Sequence, residues 1–363
     1  MPFSDFLNSL LGAQAEQPQS PQPPGGRVLG GAVGHANLVA INPNEPLKVI
    51  TARVLLLVYN PIMDQTSGKK LSEVQNWSNP DDLIPGFLSD LEQVSGGLAH
   101  YQVTQRVDLD EFPALTDGFR YTPDTFLAVI NGTVPPHSPM GIDYNAILTQ
   151  FNILQNISND LYDEVWVLAF PYAGLYESIM AGPGAYWCNA PALQNTSASN
   201  RRFVIMGLSY ERSVGEMLHS YAHRSESIMA QVYDCLDFLT WAYKPNRSPA
   251  TISPNQNLNL FQRYICFDQI APGRAALGTV HYAPNSTKDY EWDNATAVKS
   301  ECYDWLNFPN FKGDVRTLTS TEWGSGDDRA FQLWWLGHMP KVAGRQNSFY
   351  NNWWHYIANP NNA

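Results

Sequence analysis

Phe203-Val-Ile-Met-Gly-Leu-Ser-Tyr210, followed after Glu211 and Arg212 by Ser213-Val-Gly-Glu216-Met-Leu-His219-Ser-Tyr-Ala-His223-Arg-Ser-Glu226, is the stretch on which the fold turns. Its first part is a continuous apolar run of strand length, the kind a sheet covered on both faces requires. Its second part switches to helical spacing. At about 100° per residue, Glu216, His219, His223, Glu226 and Ala230 share one sector, while Val214, Met217, Leu218, Tyr221, Ile228, Met229 and Val232 fill the opposite one. A buried strand that feeds directly into an amphipathic helix is half of a parallel crossover unit.

The same alternation extends outward from this stretch. Lys48 to Tyr59 is β-branched and apolar enough for a buried strand, Pro80 to Val94 has helical spacing, and Ala99 to Leu109 reads as a second strand. Tyr144 to Tyr162 reads as an amphipathic helix and Glu164 to Phe170 as a third strand, with Phe203 to Tyr210 the fourth. Strands alternating with helices predict an α/β protein, a mostly parallel sheet with helices on both faces. From about Pro245 the pattern changes to short aromatic segments broken by Pro, Gly and Asn, ending in Asn351-Asn-Trp-Trp-His-Tyr356. That portion predicts an irregular, aromatic-rich C-terminal cap. Residues 13 to 26, rich in Gln, Pro and Gly, have no apolar surface to bury. The expected organisation is therefore a flexible tether over 1–26, an α/β core over 27–244 and an aromatic-rich subdomain over 245–363 packed on that core.

Composition narrows the function classes. With 22 Lys and Arg against 34 Asp and Glu, the 363-residue chain carries a formal charge of −12 and lacks the basic footprint that nucleic-acid binding needs. Charged residues are only 15% and aromatics 12%, with eleven Trp, which predicts a neutral-polar, partly aromatic surface suited to contacts with glycans or peptides. No apolar run of about 18 residues is present, so no transmembrane helix is expected. The N-terminus offers Phe3, Phe6, Leu7, Leu10 and Leu11 without a basic n-region, so export by another route, or a leader already removed, is expected in place of a conventional signal peptide. Cys188, Cys235, Cys266 and Cys302 allow two disulfides in three pairings, and their spacing excludes a zinc knuckle. Asn-x-Ser/Thr sequons at Asn76, Asn131, Asn156, Asn195, Asn246, Asn285 and Asn294 are compatible with a secreted glycoprotein. Neither a dinucleotide fingerprint nor a Walker loop occurs.

The histidine helix carries the chemistry. His219 and His223 stand at i and i+4, the spacing by which helical zinc proteins grip their metal, and Glu226 is one turn further as a possible oxygen ligand. Ser220 occupies the position where helical zinc proteases carry their general base, which excludes a standard metalloprotease helix. Two plainer readings compete: Ser213 with Glu216 fits a capping box, and the two histidines with Glu226 fit a solvated polar face. A third ligand has two sources, His281 at the end of the β-like run Gly278-Thr-Val-His281, and His338 between Trp334-Trp335 and Pro340, the latter also a candidate catalytic group. An open parallel sheet binds ligands beyond the carboxyl ends of its strands. There the sequence offers Asn60 and Asp64, then Asp108, Asp110 and Glu111, then Glu177, then Glu211, which predicts carboxylates converging on the start of the histidine helix. Glu177 and Glu211 are the candidate bases.

Three stretches carry a family likeness: Asp163-Glu-Val-Trp-Val-Leu through Tyr176-Glu-Ser-Ile-Met-Ala-Gly-Pro-Gly-Ala-Tyr-Trp-Cys188-Asn; Phe203 to Met229; and Val280-His-Tyr-Ala-Pro-Asn with the Trp-rich end. Together they resemble an uncharacterised family of bacterial, mostly extracellular proteins without an assigned activity. The resemblance implies an extracellular or cell-surface setting and one continuous domain, and leaves the chemistry to the residues. Those residues predict a zinc-dependent hydrolase acting on a peptide or glycan bond, with metal held by His219, His223 and Glu226, or by His281 in place of one of them. The alternative is a non-catalytic glycan-binding or self-assembling surface protein in which the histidine helix is only polar surface.

Overall fold

The four apolar runs become strands where the sequence puts them. In the computed structural model, which describes residues 45–244, 251–253 and 255–363, β1 (Ile50–Tyr59), β2 (Ala99–Leu109), β3 (Glu164–Ala169), β4 (Ser178–Ala181) and β5 (Phe203–Ser209) form one sheet. The strand order is β2-β1-β3-β5-β4. All neighbours are parallel except β4, which closes one edge antiparallel to β5. Every residue of β3, and all of β5 up to Ser209, is buried, so both faces of the central strands are covered. The outer strand β2 alternates with polar, partly exposed side chains, as an edge does. The tether and the Asn246 sequon lie outside the described residues.

The principal helices are α1 (Pro80–Ser95), α2 (Pro123–Ile130), α3 (Tyr144–Gln150), α4 (Ile153–Ser158), α5 (Val214–Val232), α6 (Leu236–Ala242), α7 (Asp328–Gly337) and α8 (Trp354–Ile357). Asn79 caps α1 by accepting from the Asp81 N–H, and Pro80 follows at the first helical position. The helix expected over Tyr144 to Tyr162 is broken in two, because Asn152 adopts a left-handed φ of +49° that Asn tolerates better than most residues. Strand β4 and helix α2 are too short for their periodicity to stand out in the sequence.

Helix α5 is buried nearly all round, which goes against the solvated polar face that competed with the metal reading. It packs on β5, α1, α7 and α8. Ser213 caps it by accepting from the Gly215 N–H, while Glu216 leaves the capping box unclosed and receives a 2.8 Å hydrogen bond from Arg212. On the sheet side, Arg224 is fully buried and bidentate to Glu164 at the start of β3, at 2.9 and 2.7 Å. Tyr221 and Tyr101 join their hydroxyls at 2.8 Å beside it.

The residues beyond α6 form short elements and turns, yet their Trp-rich interior is continuous with the sheet's core, one buried cluster running from Ala52 to Ala358. Among the described residues no Trp or Tyr is exposed, so the aromatic content is interior rather than the sticky surface that composition suggested. The four cysteines are buried and free. Burial pushes the Cys188 thiol up to about 11 and those of Cys235, Cys266 and Cys302 up to about 12. Asn285 is also buried and spends its amide on the carbonyls of Asn294 and Thr296, so this sequon is structural. No described helix is long and apolar enough to cross a membrane.

Candidate metal centre

The strand-end rule would put the site over the carboxyl edge of the sheet, but α5 starts there and runs back. At 1.5 Å per residue, His219 and His223 stand roughly 8 and 14 Å along it, facing the C-terminal portion of the chain. His281 comes up opposite them on a tight turn. Gly278, with φ of +79°, makes that turn possible: a Cβ there would meet the Tyr282 carbonyl oxygen at 1.9 Å. Trp335 Nε1 anchors the same turn by donating to the Gly278 carbonyl at 2.8 Å.

The three imidazoles aim their Nε2 atoms at one point. His223 Nε2 lies 3.1 Å from His219 Nε2 and 2.9 Å from His281 Nε2, and the three potential ligand atoms fall within 4.8 Å of one another. Their Nδ1 atoms point outward, each to a different carboxylate. His223 Nδ1 donates to Glu226 Oε2 at 3.1 Å and His281 Nδ1 to Asp289 Oδ1 at 2.9 Å, while His219 Nδ1 faces Asp328 Oδ1 at 3.5 Å. Gln332, on the next turn of α7, shares that position: its Nε2 lies 3.2 Å from His219 Nδ1 and donates to Asp328 Oδ1 at 3.1 Å. A carboxylate on Nδ1 fixes the tautomer in which Nε2 carries a lone pair. Three acceptors at this separation have nothing to give one another and repel unless a cation or proton lies among them. Two nitrogens bound tetrahedrally to zinc at ~2.0–2.1 Å stand about 3.3 Å apart, so small ring movements suit the cluster to an ion. The His219, His223 and His281 cluster can hold a metal ion.

Without a metal, a proton takes the place of the cation among the three rings. Burial alone would lower His219, but Asp328, Glu177 and Glu216 outweigh it and raise its pKa to about 9. Burial, together with the charge of His223 and His219, holds His281 well below the usual range. The cluster thus keeps positive charge on one side and rejects it on the other, where a divalent ion would serve all three rings.

Glu226, expected as a ligand, is on the wrong nitrogen. Its Oε2 meets His223 Nδ1 and accepts from Tyr243 at 2.6 Å, and its Oε1 accepts from the Val280 N–H at 3.0 Å, so it orients the ring and ties in the His281 turn. Glu211 is also displaced from the expected role: a third exposed, it pairs with Arg212 at 3.6 Å in the turn before α5. His338 ends α7 as its C-terminal cap and donates Nδ1 to the Trp334 carbonyl at 2.7 Å, packed on the Trp334 ring and lowered in pKa by burial. Of the other strand-end carboxylates expected to converge, Asp108 and Asp110 stay away from the cluster. Asp108 pairs with Arg106 and Asp110 with Lys70, both cations lining a separate cleft of about 470 Å³ at the ends of β1 and β2.

Glu177 is where the chemistry needs it. It is buried, and its Oε2 lies 3.9 Å from His223 Nε2, on the pocket side of that ring, held by a hydrogen bond from Asn189 Nδ2. Gly207 of β5 makes this approach possible, donating its N–H to the Glu177 carbonyl at 3.0 Å where a Cβ would strike the Tyr176 carbonyl oxygen at 2.2 Å. Sequence reasoning missed Asp289, Asp328, Gln332 and Tyr290. No family model, curated protein or solved structure matches the chain.

Proposed function

We propose that the protein is a zinc-dependent hydrolase acting on a peptide or glycan bond, in an extracellular or cell-surface setting. The observation that carries this reading is the convergence of three imidazole Nε2 atoms whose Nδ1 atoms are each turned to a carboxylate. Three nitrogen ligands, with no fourth protein ligand grouped with them among the described residues, match the ligand count of catalytic zinc, whereas structural zinc sites close all four positions with protein. When bound there, zinc would polarise a substrate oxygen and lower the pKa of a coordinated water.

The chain's own residues supply the rest. Glu177, beside His223 Nε2, takes a proton from the attacking water and returns it to the leaving group. Asp289, Asp328 and Glu226 hold the rings in register and raise their basicity, a role whose loss weakens metal binding 10- to 100-fold in comparable sites. Glu177, Glu216, Asp289 and Asp328 surround the cluster with negative charge, with Arg212 on Glu216 as partial balance, which favours neutral or cationic substrates over anionic ones.

Glu177→Gln keeps shape and removes the base. The expected outcome is unchanged zinc content with hydrolysis reduced by about 10²- to 10⁴-fold. The assay is mass-spectrometric detection of products from a peptide mixture and from oligosaccharides, before and after EDTA with zinc re-addition. Hydrolysis that persists in EDTA, or is unaffected by Glu177→Gln, contradicts the proposal.

A further inference from the structure

We propose that Tyr290 donates the hydrogen bond that steadies the reacting carbonyl oxygen, and hence that the bond cleaved is an amide and not a glycosidic acetal. The inference rests on the hydrolase reading and narrows its substrate class.

Three features single out Tyr290. Its ring is clamped over the cluster, 4.1 Å from the His281 ring centroid and 5.9 Å from that of His219, with Trp292 edge-on at 5.5 Å. Its backbone is held at φ of +57°, a left-handed conformation that a bulky aromatic residue rarely adopts, and its N–H donates to the His281 carbonyl at 3.1 Å. Such conformations persist where surrounding structure forces them, and they gather at functional sites. The third feature is the hydroxyl, which has no hydrogen-bond partner among the described residues and lies in the field of Glu177, Asp289 and Glu216. The neighbouring phenol of Tyr243, by contrast, is spent on Glu226, and those of Tyr101 and Tyr221 on each other.

A phenol whose ring packs on two of the cluster's imidazoles, with Glu177 among the charges acting on it, has a use in acyl transfer. As water adds to an amide carbon, its proton passes to Glu177 and the carbonyl π electrons move onto oxygen, where the Tyr290 O–H donates without giving up its proton. Collapse restores the C=O bond, breaks C–N and sends the Glu177 proton to the departing amine, so amide and water become acid and amine. Donors aimed at a developing oxyanion account for about 10²- to 10³-fold in rate. Glycoside cleavage instead builds positive charge on the sugar ring and needs an acid that gives its proton up to the leaving oxygen, a task for which a phenol that keeps its proton is unsuited. The substrate class is therefore a peptide bond or the N-acyl group of an amino sugar.

Cobalt-substituted protein titrated with acetohydroxamate, followed by visible absorption, tests the donor without needing activity. Wild type and Tyr290→Phe, which keeps the ring packing, are expected to take up one Co²⁺ with the same spectrum, and the variant to bind acetohydroxamate about tenfold more weakly. Equal affinity would overturn the role of Tyr290 while leaving the metal centre intact, whereas no cobalt uptake by wild type would overturn both. With peptides and N-acetylglucosamine oligomers offered together to the zinc-loaded protein, amide cleavage or deacetylation is expected, and glycosidic cleavage would overturn the substrate class.

Discussion

Helix α5 carries a buried polar cluster on each flank, and the two are built on opposite principles. Toward the sheet, Arg224 meets Glu164 in a bidentate pair, adds the Ile357 carbonyl at 3.1 Å and lies 5.1 Å from the Tyr221 ring centroid. Donors there face acceptors, although the Arg224 Nε and, on the ring stacked against Tyr221, the Trp354 Nε1 lack a partner among the described residues. Toward the C-terminal portion, His219, His223 and His281 turn three acceptors on one another. A cluster closed upon itself supports the fold, whereas a cluster with surplus lone pairs at its centre and carboxylates at its rim is arranged for something not made of protein. Burial and charge alone do not distinguish the two; the donor and acceptor balance does.

Breaking the sheet-side cluster should produce the largest change. Arg224→Met leaves Glu164 buried without a counter-charge, a loss of about 3–5 kcal/mol of the kind seen when one partner of a buried pair is removed. Calorimetry should show Tm falling, while metal content per folded chain stays at the wild-type level. A variant that lost metal as readily as stability would mean that the two flanks are one unit. Sharpening the pocket side calls for a smaller perturbation. Asp328→Asn keeps the shape beside His219 Nδ1 and removes its charge, so zinc affinity by competition with a chromogenic chelator should weaken by about 10- to 100-fold with little effect on Tm in the metal-free protein. Unchanged affinity would reduce Asp328 to a helix-start residue.

Much of this was legible in the sequence for identifiable reasons. The β-branched runs at 50–59, 164–169 and 203–209 are long, apolar and bounded, so strand identity and parallel packing could be read from them. His219 and His223 announce themselves by helical spacing, and His281 by its position at the end of a short extended run. The second layer was hidden. Asp328 follows the α7 N-cap Asp327 and reads as a helix-start acid, while Asp289 is one polar residue in a turn, and neither has a periodicity tying it to a histidine. Glu226 was over-read because sharing a helical sector with His223 does not say which ring nitrogen it will meet. Glu211 and the strand-end acids were over-read for another reason: ion pairs with Arg212, Arg106 and Lys70 hold them locally, and the helix carries its histidines away from the strand ends.

Elemental analysis of the purified protein, side by side with His223→Ala, bears most directly on the claim that the inward flank of α5 is a metal centre. About one equivalent of zinc per chain in wild type, and almost none in a variant that remains folded by circular dichroism, is the expected result. Equal metal in the two proteins, whether present or absent, would contradict it.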